Sequence, residues 1–335
     1  RPGDPVPSES ALAQQFGGLD YRVADVGDPA SVRALVDKGD VLVTTVGPFE
    51  QFGHPVARAA ADAGAHYLDS TGEVGFVREV RERHDAAAWE AGATIAPAFG
   101  YDYVPGILAG ALAARAGGAA IHSIDIGYFA IGSLRNGLSQ GTRKTMAEGL
   151  ILPAAVWRDG RLVDETTARQ VREFAVRGKR KNAFLVSGTE VLFLPSEVPA
   201  LQSVTVYNGW FPPLSRTIQL VSAAANATTK LPRGRDVVNA ISARTVGASG
   251  GPDAAERART LSHVVAVARD DRGTPIAEVH LEGPSPYSLT GELMAWAAER
   301  LVSGAGRTPG VVGPVEAFGL DELVAGCKEC GMVEV

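Results

Sequence analysis

Apolar positions in the first third of the chain fall in short runs separated by longer stretches of helical period. Tyr21–Ala24 reads as a strand. Asp28–Asp37 follows as a helix, with Asp28 placed to cap it just before Pro29. The segment 40–46, DVLVTTV, is rich in β-branched residues and does not alternate, which predicts a strand buried on both faces. A helix over His54–Ala63, closed by Gly64, leads to a strand over His66–Asp69. A second helix, Phe76–Glu90, has Gly92 just past its end. A strand over Thr94–Phe99 and a helix over Val104–Ala116, ended by Gly117-Gly118, complete the series. Strands alternating with helices at this spacing predict βαβ units and a Rossmann-like, doubly wound parallel sheet of the α/β class.

After Gly118 the pattern changes. Strands are expected at Ser123–Ile131, Phe184–Leu194, Ser203–Tyr207, His263–Arg269 and Ile276–Leu281, with a helical segment over Gly141–Leu150. Asp159-Gly160 sits between apolar flanks and marks a hairpin, as does Asp271–Gly273. Residues 213–246 read as helical with a break at 232–234, and Ser288–Val302 is amphipathic. The expected organisation is a dinucleotide-binding domain over 1–118 and an α+β domain with a mainly antiparallel sheet over 119–284. A C-terminal helix and tail over 285–335 would return to the first domain.

Composition narrows the function classes. Hydrophobic residues make up 45% and charged residues 21% of the 335 positions, enough for a large core and too few charges for global disorder. A net charge of −6 argues against nucleic-acid binding. No apolar run has the length of a membrane span. Two cysteines cannot build a disulfide scaffold and suit a reducing, cytoplasmic setting. They form Cys327-Lys328-Glu329-Cys330, but a zinc site needs a second ligand pair, so the pair reads as a solvent-exposed helix turn and no metal is expected. The basic run Arg177–Lys181 reads as a solvated loop.

In open α/β sheets ligands lie beyond the carboxyl ends of the strands. Those ends are Asp25-Val26, Val46-Gly47-Pro48-Phe49, Asp69-Ser70-Thr71-Gly72-Glu73 and Phe99-Gly100-Tyr101-Asp102. Each also has a bland reading as a turn or a cap. A Gly-rich phosphate loop after a strand is not found in the chain, which leaves two readings: a non-catalytic scaffold that kept the fold, or a nucleotide enzyme whose first strand, phosphate loop and first helix lie upstream of Arg1.

The segments TVGPFEQFGHPVARAAADAGAHYLDSTGE and AFGYDYVPGILAGALA, with PYSLTGELMAWAAERLVSG and GVVGPVEAFG near the end, resemble the saccharopine dehydrogenase-like NAD(P)-binding family. That family includes saccharopine reductases and bacterial trans-acting enoyl reductases. The resemblance is good over 20–118 and 285–335 and weak over 121–284. It implies hydride transfer from NADP, with NAD the lesser option, to a C=N, C=O or C=C bond of a small or carrier-bound metabolite. It further implies that Arg1 meets the 2′-phosphate of NADP, that Asp25 and Val26 border the adenine, and that Val46, Gly47, Pro48 and Phe49 run along the pyrophosphate and nicotinamide ribose. Asp69 and Thr71 would lie near the nicotinamide.

A hydride acceptor needs a proton partner. Tyr101, Asp102 and Glu73 are the leading candidates, with His54 and Tyr103 behind them. Packing at a helix entry explains Tyr101 and Tyr103 equally well, and first-turn capping explains Glu73. The middle segment presents no evident arginine cluster for a dicarboxylate amino acid, which turns the expected substrate away from saccharopine. The antiparallel sheet is a candidate homodimer face.

Overall fold

The computed structural model describes residues 14, 17–132, 149, 152–228 and 251–335. All but residue 149 of the expected helix over Gly141–Leu150, residues 229–250 and Arg1 lie outside the described residues.

A short helix α1 (Pro29–Arg33) is capped by the Asp28 side chain, as its sequence predicts. It leads into β1 (Val41–Thr44), α2 (Phe49–Ala63), β2 (His66–Asp69), α3 (Val74–Ala91) and β3 (Thr94–Ala96). Gly64 and Gly92 end the two long helices at φ of +72° and +75°, a conformation glycine adopts without a Cβ clash. β1, β2 and β3 pair in parallel register.

The expected strand at Tyr21–Ala24 is not formed. Its residues have no ladder partner among the described residues, and Tyr21 and Val23 are 54% and 71% exposed. A strand is stabilised by its neighbour's hydrogen bonds, and β-propensity alone does not supply one. β1 is correspondingly an edge among the described strands, with Val43 and Val46 half exposed, where burial on both faces was expected.

Beyond β3, α4 (Val104–Gly117) is buried from Val104 to Ala114 on every side. It needs no polar face because it lies between two layers. One is made of the helices Glu190–Glu197, Pro314–Phe318 and Leu320–Glu329; the other is a large second sheet containing β4 (Ser123–Ile131), β5 (Pro153–Arg158), β6 (Arg161–Thr166), β7 (Val171–Val176), β8 (Lys179–Val186), β9 (Ser203–Asn208), β10 (Leu261–Arg269) and β11 (Pro275–Gly283). Pairing is antiparallel except between β4 and β9, which run parallel. Alternation along β4 sends Ile124, Ile126 and Tyr128 into the core shared with α4, and Phe129 into a second core under the β7–β8 hairpin.

Two middle-segment expectations are corrected. Arg177–Lys181 is no loop: Arg177 and Gly178 take φ of +50° and +70° as the hairpin turn, and Lys179 opens β8. The Asp159-Gly160 turn has the same geometry, at +51° and +72°. Phe184–Leu194 is not one strand either. β8 stops at Val186, Gly188 follows, and α5 (Glu190–Glu197) begins, its apolar run buried against α4 and β9. The apolar run gave no period to separate strand from buried helix. After β9 comes α6 (Ser215–Thr228), and α7 (Ala254–Ala258) precedes β10 with a full capping box from Asp253 and Glu256.

Arginines do gather in this layer. Asp125 on β4 pairs with Arg172 on β7 and Arg269 on β10, while Arg158 on β5 pairs with Glu165 on β6. Their separation in sequence hid the group.

The last segment forms α8 (Pro286–Val302), β12 (Gly310–Val311), α9 (Pro314–Phe318), α10 (Leu320–Glu329) and β13 (Val333–Glu334). β12 adds to the first sheet beside β3, giving the order β1-β2-β3-β12 among the described residues, while β13 pairs with β11 in the second sheet. α8 packs under β1 and β2. Cys327 and Cys330 are buried and free, not solvent-exposed, because α10 turns that face toward Trp296 and Phe318. Burial pushes both thiols up, which makes them poor nucleophiles.

Candidate active site at the carboxyl rim of the parallel sheet

Three of the four strand ends are tied into one constellation. Asp69 ends β2 fully buried. Its Oδ1 accepts the backbone N–H groups of Thr71 (2.9 Å) and Ala98 (2.8 Å), and its Oδ2 accepts the Tyr67 hydroxyl (2.7 Å). One carboxylate therefore fastens the ends of β2 and β3 together. Burial outweighs these three donors and lifts the Asp69 pKa to about 6. Thr71 Oγ1 accepts from Glu73 N (3.0 Å). The Glu73 carboxylate then accepts from Phe49 N (3.0 Å) and Glu50 N (2.8 Å), the first turn of α2. A carboxylate is favoured at that helix end by the unpaired N–H groups and the helix dipole. Glu73 thereby satisfies the first two N–H donors of this helix.

The third end folds over the second. Tyr103 Oη donates to Gly72 O (2.9 Å), and Tyr101 N donates to Thr290 Oγ1 of α8 (3.0 Å). Asp102 stands between these tyrosines, half-buried, and loss of solvent raises its pKa to about 6. Tyr101 is buried against Trp210, its hydroxyl 3.5 Å from Phe129 O, and burial pushes its phenol well above the usual range. A Cβ at Gly100 would meet Thr290, so the turn before Asp102 lies close on α8.

The remaining predicted residues are placed as follows. Pro48 caps α2 in extended conformation after a cis Gly47-Pro48 bond. Phe49 is buried against Phe76, while Val46 is 51% exposed. Asp25 bonds within its own loop, to Gly27 and Ser31, and Val26 packs on the core edge. No hydrogen bond joins Asp25 or Val26 to the other three ends among the described residues. His54 pairs with Glu79 at 3.2 Å, and its ring lies tilted against that of Phe76.

Sequence reasoning missed Tyr128, Glu190 and Trp210. They come from β4, α5 and the loop after β9, and meet the Tyr101–Tyr103 turn from the second layer. The one local signal was an acid, Glu190, at the head of an otherwise apolar run. A Cβ at Gly106, in the first turn of α4, would collide with both Glu190 and Tyr128. Gly106→Ala is expected to cost about 1–3 kcal/mol through overpacking, read as a lower urea midpoint with an unchanged m-value.

The fit to a nicotinamide ring rests on the donor set of this rim. A glycine at 47 allows close approach, and the atoms a Cβ there would meet first belong to Phe49. Exposed Val46 offers apolar surface, and Asp102 is a titratable group on the neighbouring rim loop. Among the described residues no group of three or more His, Cys, Asp or Glu could hold a metal ion.

No family model matches the chain. It is 36% identical over 143 residues to a protein of Mycobacterium tuberculosis named as a putative trans-acting enoyl reductase, covering 42% of this chain and 34% of that one. It is 39% identical over 83 residues to the trans-acting enoyl reductase of Mycobacterium ulcerans, covering 25% of this chain and 20% of that one. The matches thus span about a third or less of these relatives' length. Among solved structures, the apo saccharopine dehydrogenase (L-Glu forming) of Saccharomyces cerevisiae superposes with a TM-score of 0.58 at 13% identity, covering 97% of this chain and 91% of that one. At that identity the likeness is one of fold. The chain therefore has the Rossmann-type fold of that saccharopine dehydrogenase and is similar in sequence, over part of its length, to the trans-acting enoyl reductases.

Proposed function

We propose that this protein is a nicotinamide-dependent oxidoreductase that reduces the C=C bond of a small or carrier-bound enoyl compound. The observation that supports the reading is the tying of three strand ends into one rim, with half-buried Asp102 on the third of them. The relatives' names supply the bond type; C=O and C=N remain the runners-up within the same chemistry. The ion-paired state of Arg158, Arg172 and Arg269 leaves them poorly suited to a dicarboxylate amino acid.

When bound, the cofactor supplies the hydride. The chain's own residues do the rest. Gly47, Pro48 and Phe49, with Asp69 and Thr71, form the ledge for the nicotinamide end. Asp102 delivers or accepts the proton. Tyr101 and Glu73 position that ledge, the first through Thr290 and the second through the α2 N-terminus. Asp25 and Val26 are proposed to border the adenine, and Arg1 to select NADP over NAD, since a guanidinium forks onto a phosphate. Titration calorimetry of the protein with NADPH and NADH tests this directly: heat with NADPH, weaker with NADH, is expected. No heat with either overturns the oxidoreductase reading in favour of a scaffold that kept the fold.

Free, buried cysteines fit a reducing compartment and thus the cytoplasm. Among the described residues no helix is long and apolar enough to cross a membrane. A homodimer through the large sheet is proposed on its exposed edges. Light scattering at micromolar concentration should give twice the chain mass.

A further inference from the structure

Glu190 is the most deeply buried acid that the proposed chemistry leaves unused. It is 0% exposed, at the start of α5. Its Oε1 lies 2.6 Å from Tyr128 Oη, and its Oε2 is buried with no hydrogen-bond partner. Gly106 and Gly188 form its cradle, since a Cβ at either would collide with the carboxyl group. Tyr128 Oη also lies 3.3 Å from the carbonyl oxygen of Tyr103. A phenol has one proton, and a carbonyl has none to give. If both contacts are hydrogen bonds with one proton each, the second proton comes from Glu190.

We infer that Glu190 is kept as an uncharged carboxylic acid that donates to Tyr128, so that Tyr128 donates to the Tyr103 carbonyl and thereby fixes the loop carrying Asp102. Glu190 is a positioning residue in this arrangement, acting through Tyr128. The inference rests on the oxidoreductase reading for its consequence, not for the protonation itself.

The surroundings favour the neutral form. Facing Glu190 are Tyr128 from β4, Asp102 and Tyr103 from the loop before α4, and Gly106 from α4 itself. β5 and β9 bring alanine and valine to this core, Ala155 and Val206. No Lys, Arg or His is bonded to it among the described residues. Burial, with Asp102 nearby, raises its pKa to about 8, while Asp102 sits at about 6. Two carboxyl groups driven apart in this way remain, at neutral pH, one base and one acid. Ionisation of Glu190 would draw the Tyr128 proton to itself, release the Tyr103 carbonyl and add a second negative charge beside Asp102.

The test follows carboxyl ¹³C resonances of Asp- and Glu-labelled protein against pH, in wild type, Glu190→Gln and Tyr128→Phe. In wild type a protonated Glu190 signal is expected at pH 7, absent from E190Q. The Asp102 resonance should show its own titration and then a second displacement above pH 7 as Glu190 ionises. E190Q should keep the first and lose the second, because Gln still donates to Tyr128 but cannot ionise. Under turnover in the reducing direction, E190Q should retain at least a third of the pH 7 rate, keep the fall through about pH 6 and lose the further fall near pH 8, whereas Y128F should drop about tenfold. A Glu190 already ionised at pH 7, or an alkaline Asp102 displacement that persists in E190Q, overturns the inference. The resonances report protonation without turnover, so a protein that failed to bind nucleotide would still show whether Glu190 carries its proton.

Discussion

Asp102→Asn is expected to lower kcat by about 10²–10⁴, the range general acid–base groups contribute, while the Kd for the nicotinamide nucleotide changes by less than about threefold. Asn preserves the size and polarity of the side chain, so the turn between Tyr101 and Tyr103, held by Thr290 and by Gly72, should stay in place. What disappears is the proton. The direction of pH dependence follows from the raised pKa of about 6. Reduction needs Asp102 protonated, so its rate should fall as pH rises through about 6. The reverse oxidation needs Asp102 ionised and should rise over the same interval. Both limbs should be absent in D102N. Stopped-flow measurement of nicotinamide absorbance in each direction, paired with calorimetric binding, separates loss of chemistry from loss of binding. A D102N enzyme with wild-type kcat would remove Asp102 from the reaction.

The residues that could be found in the sequence are those whose role is local. Asp69, Thr71 and Glu73 lie two apart on one strand end, and Gly47-Pro48 precedes a helix. Their partners are close in sequence or follow from the parallel order of the sheet. The sequence did not disclose what Glu73 does, because its two N–H partners are on α2, more than twenty residues earlier. Nor could it disclose Glu190, whose meaning depends on Tyr128 from β4 and Gly106 from α4 arriving at the same point. The errors have the same origin. Tyr21–Ala24 has strand composition without a ladder partner, and the apolar stretch after Val186 is helical because α4 and β9 surround it. Hydrophobic period reports which face is buried, not what buries it. The resemblance rests on the first and last parts of the chain for the complementary reason: those parts supply the strands of the parallel sheet, whose rim motifs are contiguous.

Asp69→Ala is the second large effect, and it is one of stability. The side chain is the common acceptor for Thr71 N–H, Ala98 N–H and the Tyr67 hydroxyl, all of them buried. Removing it strands three donors, each costing about 1–3 kcal/mol when left without a partner. Some water entry into the space left behind offsets part of that, so a net loss of about 3–5 kcal/mol is expected. Asp69→Asn keeps an acceptor for the two N–H groups, and Tyr67 can turn its hydroxyl to accept; the expected cost is below about 2 kcal/mol. The pH dependence separates a titrating Asp69 from a merely space-filling one. Its folded pKa of about 6 lies above the ordinary 3.8, so between those values the folded state holds the proton more tightly than the unfolded chain. Stability from this group is therefore full below about pH 4 and declines as pH rises to about 6. Urea unfolding of wild type and D69N at pH 4, 5, 6 and 7 should show the wild type losing about 2–3 kcal/mol relative to D69N across that span, with no further change to pH 7. A constant difference at all four pH values would mean that Asp69 is ionised throughout and that the three donors outweigh its burial.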